Sequence, residues 1–453
     1  MWIQSHHLRV AIAVSLFVLL LLALFALPLP ETGSAHEPIT TKVMFNKEVI
    51  RILERNCLAC HAPGKIKSDI PLTTYEEARP WAKAIKEEVL EKRMAPFQAV
   101  KGYGSFDHDY TLPKRDVELL VSWIEGGAPR GEANDYPKDE IEKLIAGREW
   151  ELGKPDLILQ PAQETQIAPK GDDETRCFVL PTNLKEGRWV SAIDFQPGAG
   201  AVVHSASLFV SPNAGGPSGG KAQAKANLFV ASNAGGPSGE KARAKAETTN
   251  NCLPNAEPIG QWAPGQSANR LPDDVAIKLP ARSRVVMRIR YHKNGEAAAD
   301  RSSVGLYFAK DSTSKLVRNV TVNAPATVLP PNAENHRVKA SYTINESTDV
   351  VAIRPLLFPF AKSIEVAAYR PDGSVEVLIW AKDYRFDWQP AYFFKKSVAL
   401  PKGARLEVTA YLDNSENNRN NPNDPPVETR FVGALCEISL TSATTLKQAR
   451  LGR

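Results

Sequence analysis

The sequence predicts a multidomain chain, a small all-α domain followed by two all-β sandwich domains, and three observations carry that expectation. Apolar residues recur at helical spacing ahead of residue 130, beginning with Phe45, Val49, Ile52 and Leu53. From Cys177 onward the texture changes to short β-branched and aromatic runs separated by Pro, Gly and Asn: Phe178 to Leu180, Val202 to Val210, Arg284 to Tyr291, Ser303 to Phe308, Val350 to Ile353 and Arg405 to Tyr411. That β-rich span is about twice the length of one sandwich, so two are expected, meeting near Asn323 to Asn332. The whole chain of 453 residues has room for these units.

The chain starts with a targeting segment, residues 1–35. Val10 to Pro28 is almost wholly apolar and follows His6, His7 and Arg9. It is longer than the ~7 to 15 apolar residues of a cleaved signal and near the lower limit for spanning a bilayer, so both a signal peptide and a membrane anchor fit. Gly33-Ser34-Ala35 offers small residues where a signal peptidase could cut. Either outcome exports the rest, with the bacterial periplasm as the natural destination. The net charge of +5 comes without a Lys/Arg run or aromatic-basic interleaving, which excludes nucleic acid as a partner.

Three helices are expected in the α-domain, residues 40–130. The first covers Phe45 to Asn56. Thr74 with Glu77 forms a capping-box pattern ahead of Ala78, Trp81, Ile85, Val89 and Leu90, predicting a second helix to about Arg93. The third runs from Pro113, at a first-turn position, to Glu125, with Gly126-Gly127 as its stop. A linker is expected over residues 131–160.

Immediately after the first helix stands Cys57-Leu58-Ala59-Cys60-His61. Two cysteines separated by two residues and followed at once by histidine form a haem attachment sequence, in which each thiol adds to a vinyl group and the imidazole turns onto the iron. The other readings are a redox dithiol or half of a zinc site, but no second Cys/His pair lies nearby to complete four ligands. One covalent haem c is therefore expected, with Cys57 and Cys60 as thioethers and His61 as proximal ligand. Met94 is the candidate distal ligand, because it lies in a Met-Ala-Pro turn just past the second helix and is the one methionine of this domain beyond the haem motif. Thioether ligation raises the reduction potential relative to two imidazoles. His108, in the polar stretch Phe106-Asp107-His108-Asp109, is the competitor.

A resemblance covers nearly the whole exported chain. It rests on an ordered series: Gly153-Lys154-Pro155-Asp156, Arg176-Cys177-Phe178-Val179-Leu180-Pro181, Val203-His204, Trp262-Ala263-Pro264-Gly265, Tyr291-His292, Phe386-Asp387-Trp388-Gln389 and Asp413-Asn414-Ser415. The series resembles the copper type II, ascorbate-dependent monooxygenases (peptidylglycine α-hydroxylating monooxygenase-like), and more closely bacterial members fused behind a c-type cytochrome domain. Met94-Ala95-Pro96 is similar to the Met-Pro-Pro turn of those fusions. The resemblance implies two jelly-roll domains, here 161–325 and 326–445, each with a copper. It implies an electron-transfer copper on three histidines, of which His204 and His292 remain. It also implies an oxygen-activating copper on His-x-His and Met, where this chain has Pro355-Leu356-Leu357-Phe358 and Glu437-Ile438. Leucine, phenylalanine and isoleucine carry no lone pair for copper, and Lys362 nearby would repel it. Copper is not expected to be retained, beyond a vestigial site at His204 and His292. Cys177 and Cys252 match family cysteines and are expected to form a disulfide, leaving Cys436 as a buried thiol.

Two further stretches invite false leads. Leu208-Phe209-Val210 with Asn213-Ala214-Gly215-Gly216-Pro217-Ser218-Gly219 recurs as Leu228-Phe229-Val230 with Asn233-Ala234-Gly235-Gly236-Pro237-Ser238-Gly239, which reads as a duplicated hairpin or an enlarged, mobile surface loop. Gly215 to Lys221 mimics a phosphate loop, but Ala222 replaces its Ser/Thr. Asp413 to Asp424 lacks the pattern of a calcium loop and reads as a structural Asx-rich turn.

The function expected is electron transfer by an exported monohaem c-type cytochrome, its degenerate monooxygenase-like module docking it to a redox partner protein or a membrane respiratory assembly. A haem-fed copper monooxygenase and a purely structural scaffold of a respiratory complex are the alternatives.

Overall fold

The computed structural model describes residues 40–94, 99–147, 149–211, 231–232, 256–309, 315–356, 359–384, 388–431 and 433–442. The expected targeting segment, Cys252 and most of the duplicated stretch lie outside them. The described chain is mostly strand, in several sheets stacked as β-sandwiches, with a few short helices ahead of them. None of those helices is long and apolar enough to cross a membrane.

The helical part is built around Phe45 and Trp123. A π-helical turn, Phe45–Val49, leads into α1 (Ile50–Asn56), and Phe45, Val49, Ile52 and Leu53 are all buried as their spacing requires. The rings of Phe45 and Trp123 lie 5.8 Å apart, and Tyr75 meets Phe45 edge-on at 5.7 Å. The capping box forms: the Glu77 N–H donates to Thr74 Oγ1 at 3.2 Å, and the Thr74 N–H donates to Glu77 Oε2 at 3.0 Å. It opens α2 (Tyr75–Ala78), which passes through a 3-10 turn at Arg79–Trp81 into α3 (Ala82–Leu90).

That turn explains a departure from the expected second helix. Three residues per turn instead of 3.6 rotate the apolar stripe, so Trp81 and Leu90 are 40% and 51% exposed while Ala78, Ala82 and Val89 are buried. The helix also stops at Leu90 rather than Arg93, because Lys92 takes a left-handed backbone with φ +58°. Pro113 precedes α4 (Lys114–Glu125) as its N-cap instead of joining the first turn.

Half of the expected linker is regular structure. Within it α5 (Lys138–Ala146) buries Ile141 against the helical core, and Leu157–Leu159 already pairs with Ser303–Phe308. The helical unit therefore reaches residue 146 and the first sandwich begins near 157.

In the first sandwich one sheet orders its strands Ala231–Ser232, Glu174–Pro181, Arg284–Tyr291, Val203–Ser211, Glu257–Trp262. Its inward residues, including Leu180, Val285, Met287, Ile289 and Leu208, pack on Val190, Phe195 and Leu306 of the facing sheet. That facing sheet runs Leu157–Leu159, Ser303–Phe308, Arg188–Gln196, Val275–Leu279 and then crosses into the second sandwich through Lys315–Asn323, Ala434–Thr441, Thr348–Pro355 and Tyr392–Leu400. The seam is a short parallel pairing, Lys315 with Val275 and Leu316 with Ala276. Lys315–Asn323 is otherwise paired with Ala434–Thr441 from Val317 onward, so the chain is in the second sandwich by Val317, ahead of the expected 325/326 boundary. Strands His336–Thr343, Arg405–Leu412, Ala361–Tyr369 and Val375–Lys382 form the other layer of this unit.

Between α3 and α4 the chain leaves the helical unit and straps across the second sandwich. Ala99 bridges to Ala381, and the Val100 N–H donates to the Trp380 carbonyl at 2.8 Å. Farther on, Phe106 bridges to Phe394, the Asp107 N–H donates to the Phe393 carbonyl and the Lys395 N–H donates to the Ser105 carbonyl, both at 2.8 Å. The strap thus joins the edge strand of one layer, Val375–Lys382, to the edge strand of the other, Tyr392–Leu400. Ala99 and Phe106 belong to the second sandwich's core.

Candidate functional site

The end of α1 carries the Cys57–His61 turn. The Cys57 and Leu58 N–H groups both donate to the Leu53 carbonyl, and those of Cys60 and His61 both donate to the Cys57 carbonyl, so the helix tightens into a turn that presents both thiols and the imidazole. The next residues fold back over it, with the Lys67 N–H on the Cys60 carbonyl and the Leu72 N–H on the His61 carbonyl, each at 3.0 Å.

That fold-back settles the state of His61. Its Nδ1 lies 2.9 Å from the Ile70 carbonyl oxygen, which can only accept, so Nδ1 carries the proton and Nε2 keeps its lone pair. Burial, ahead of the Ile70 bond that opposes it, holds the imidazole below its usual pKa and therefore neutral. A neutral imidazole, oriented through its other nitrogen, is what a metal ligand requires.

Cys57 and Cys60 are free thiols. Burial, reinforced by Cys60, pushes Cys57 up to about 12. Burial pushes Cys60 up to about 11, against the pull of Lys67 and Lys65. A redox dithiol needs the opposite shift, since the thiolate is the attacking form. Two thiols with one imidazole on a single turn suit a c-type haem.

Met94 follows α3 and is half-buried, its N–H donating to the Glu88 carbonyl at 3.1 Å. Ala95 and Pro96 of its turn lie outside the described residues. His108 follows Asp107, with its Nε2 3.6 Å from Asp107 Oδ2 and its ring 6.0 Å from that of Tyr110.

Where the helical unit meets the sandwiches, several of the sequence motifs converge. Gly265 of Trp262-Ala263-Pro264-Gly265 has φ +79°, and a Cβ on it would sit 3.6 Å from Cys60 Sγ and 3.8 Å from Ala59 Cβ. The Trp388 indole N–H donates to the Pro264 carbonyl at 3.2 Å, the Ser267 N–H donates to the Tyr110 hydroxyl at 3.0 Å, and the Tyr110 and Trp388 rings meet edge-on at 5.9 Å. One turn of the first sandwich therefore touches the second sandwich at Trp388, Tyr110 just past the strap, and the cysteine turn.

The two histidines of the implied electron-transfer copper come to the same end of neighbouring strands. His204 lies at the β-bulge where Val203–Ser211 slips against Arg284–Tyr291, and the His292 N–H donates to the Val202 carbonyl at 2.8 Å. His292 is exposed and its Nδ1 lies 2.9 Å from Asp173 Oδ1, while Arg290 holds the other oxygen of Asp173 at 3.0 Å. Among the described residues no three His, Cys, Asp or Glu side chains converge as a metal site. At the implied oxygen site, Ile438 is fully buried in the second core and Glu437 pairs with Arg354 at 3.2 Å. The Leu356 N–H donates to the Leu435 carbonyl at 2.9 Å, and Leu357 and Phe358 lie outside the described residues.

Cys436 is a fully buried free thiol, held above its usual pKa by burial. The Asx-rich tract is a structural turn: buried Asn414 donates from Nδ2 to the carbonyls of Leu329, Pro330 and Val427, and Asn418 donates to those of Pro359 and Asp413. Sequence reasoning missed the Ile70 carbonyl, although Pro71 behind it, which disfavours helix at Ile70, was an available signal. It also missed Gly265 against Cys60, for which no local signal exists.

No family model matches the chain, and no curated protein matches it. Among solved structures it is similar to the N-terminal CBM22-1-CBM22-2 tandem domain of Paenibacillus barcinonensis Xyn10C, at 9% identity over 66% of this chain and 97% of that one, with a TM-score of 0.14. A likeness of that order carries no argument about fold or function.

Proposed function

We propose that the protein is an exported monohaem c-type cytochrome that transfers electrons, with monooxygenase-like sandwiches that no longer perform oxygen chemistry. The observation that carries the proposal is the Cys57–His61 turn, with its two neutral thiols and an imidazole whose Nδ1 is committed to Ile70. Cys57 and Cys60 would hold the haem as thioethers, His61 would ligate its iron through Nε2 and Met94 through its sulfur. When bound, the group supplies a one-electron Fe(III)/Fe(II) couple. The Ile70 carbonyl fixes the imidazole plane, and the sandwich turn at Gly265 shields the Cys60 side of the site from water.

The sandwiches serve as the docking face for a redox partner protein or a membrane respiratory assembly. The apolar Ile438 and the paired Glu437 in the implied oxygen site support this reading over a haem-fed monooxygenase. His204 and His292 are a vestige, and a bridge between Cys177 and Cys252 belongs to the same picture. Export places the site in the periplasm, free or tethered through residues 10–28. The test is purification from a host that exports and matures c-type cytochromes. One covalently bound haem per chain, reducible in solution, is expected, and a polypeptide with both thiols free would refute the proposal.

A further inference from the structure

We infer that the second sandwich positions the distal haem ligand, with the strap Ala99–Asp107 as the clamp; the inference rests on reading Met94 as that ligand. Met94 lies between two anchors. Upstream, its own N–H and that of Arg93 both donate to the Glu88 carbonyl, and the Arg93 guanidinium is held by Glu87 and Glu88. Downstream, after four residues, the chain is fixed on the sandwiches from Val100 to Tyr110, with Val100 on Trp380, Ser105 on Lys395, Asp107 on Phe393 and the Tyr110 hydroxyl on Ser267, before Leu112 returns to the helical core.

The connection from α3 to α4 is too long to hold a thioether by itself. The described residues between Leu90 and Lys114 form no helix, and a free loop of that length would spread Met94 over many positions, each competing with ligation. The strap removes that freedom by burying Phe106 among the second sandwich's aromatics, with ring distances of 5.0 Å to Phe394 and 5.3 Å to Tyr392. Gly104 lets it lie flat. With φ +77°, a Cβ there would fall 2.3 Å from the Leu378 carbonyl oxygen and 2.5 Å from the Phe106 ring, so any other residue lifts the strap. Phe106 and Gly104 are thus positioning residues for an atom in another domain, and this gives the sandwiches a task that needs no copper.

The test uses the full-length, haem-loaded protein and compares wild type with Phe106→Ala, Gly104→Ala, Phe106→Leu and Met94→Ala. The readouts are the ferric charge-transfer band of thioether-ligated iron, the midpoint potential and haem content. Wild type should show the band. Phe106→Ala and Gly104→Ala should keep covalent haem yet lose the band at least tenfold, with potentials moving toward that of Met94→Ala, while Phe106→Leu retains both. Gly104→Ala deletes no core side chain, displacing the strap and the Phe106 ring instead, and decides the matter should Phe106→Ala not fold. An unchanged band and potential in Gly104→Ala would overturn the clamp and leave Met94 ligation standing. Absence of the band in wild type would overturn the Met94 reading itself, and the clamp with it.

Discussion

The cysteine turn and the His204–His292 corner are both places where candidate ligand residues gather, yet they are assembled in opposite ways. Cys57, Cys60 and His61 come from one helical turn, so local backbone hydrogen bonds fix their relation whatever the rest of the chain does. His204 and His292 belong to separate strands and meet only because Val203–Ser211 and Arg284–Tyr291 pair in one register, bulge included. A local site survives changes elsewhere in the fold, whereas a distributed one is lost with a single substitution. At the second corner His292 is engaged by Asp173, so its imidazole already has a partner from a third stretch of chain.

Removing ligands should separate the two regions most sharply. Replacing Cys57 and Cys60 together by alanine should take covalent haem from one per chain to none, read by intact mass, while His204→Ala with His292→Ala should leave haem content and the reduced spectrum unchanged. Next in size is the strap, where Phe106→Ala opens a cavity in the second core. Truncations of this kind cost about 3–5 kcal/mol, so a large drop in the denaturation midpoint is expected. Asn414→Ala follows, since it removes a buried amide that donates to the Leu329, Pro330 and Val427 carbonyls, of which Pro330 keeps the Ala333 N–H and Val427 the Thr429 hydroxyl; a loss of about 2 kcal/mol is expected in the same assay.

A smaller effect distinguishes the haem-free protein. The thiols of Cys57 and Cys60 have raised pKa values in the folded chain, about 12 and 11 against 9.0, so the unfolded chain releases their protons first. Their stabilisation is complete below pH 9 and is lost as pH climbs from there toward 11 and 12, by about 1 kcal/mol per thiol at pH 10. Thioethers do not titrate, so denaturation curves at pH 8 and pH 10 should converge once haem is attached. The His61 imidazole works in the other direction: its folded pKa is lowered, so the haem-free protein should also weaken as pH falls below about 6.5.

What could be read in the sequence follows the same division between local and distributed features. The Thr74–Glu77 capping box, the spacing of Phe45, Val49, Ile52 and Leu53, and the alternating strands depend on near neighbours, and each appears where its pattern places it. Trp81 and Leu90 depart from the expected apolar stripe because a 3-10 turn changes the period within one apparent helix. The strap could not be foreseen, since Ala99 and Phe106 look like ordinary loop residues until strands from far along the chain supply their partners. Likewise, only the tertiary fold shows that Gly265 lies against Cys60, or that the parallel seam at Lys315 moves the boundary between the sandwiches.

The most direct test of the central claim is a spectroelectrochemical titration of the purified exported protein, followed at the α-band of the reduced haem. The account predicts one reversible one-electron wave, with full-amplitude reduction and reoxidation. A protein with no reducible chromophore, or with a haem that does not equilibrate with mediators, would contradict it.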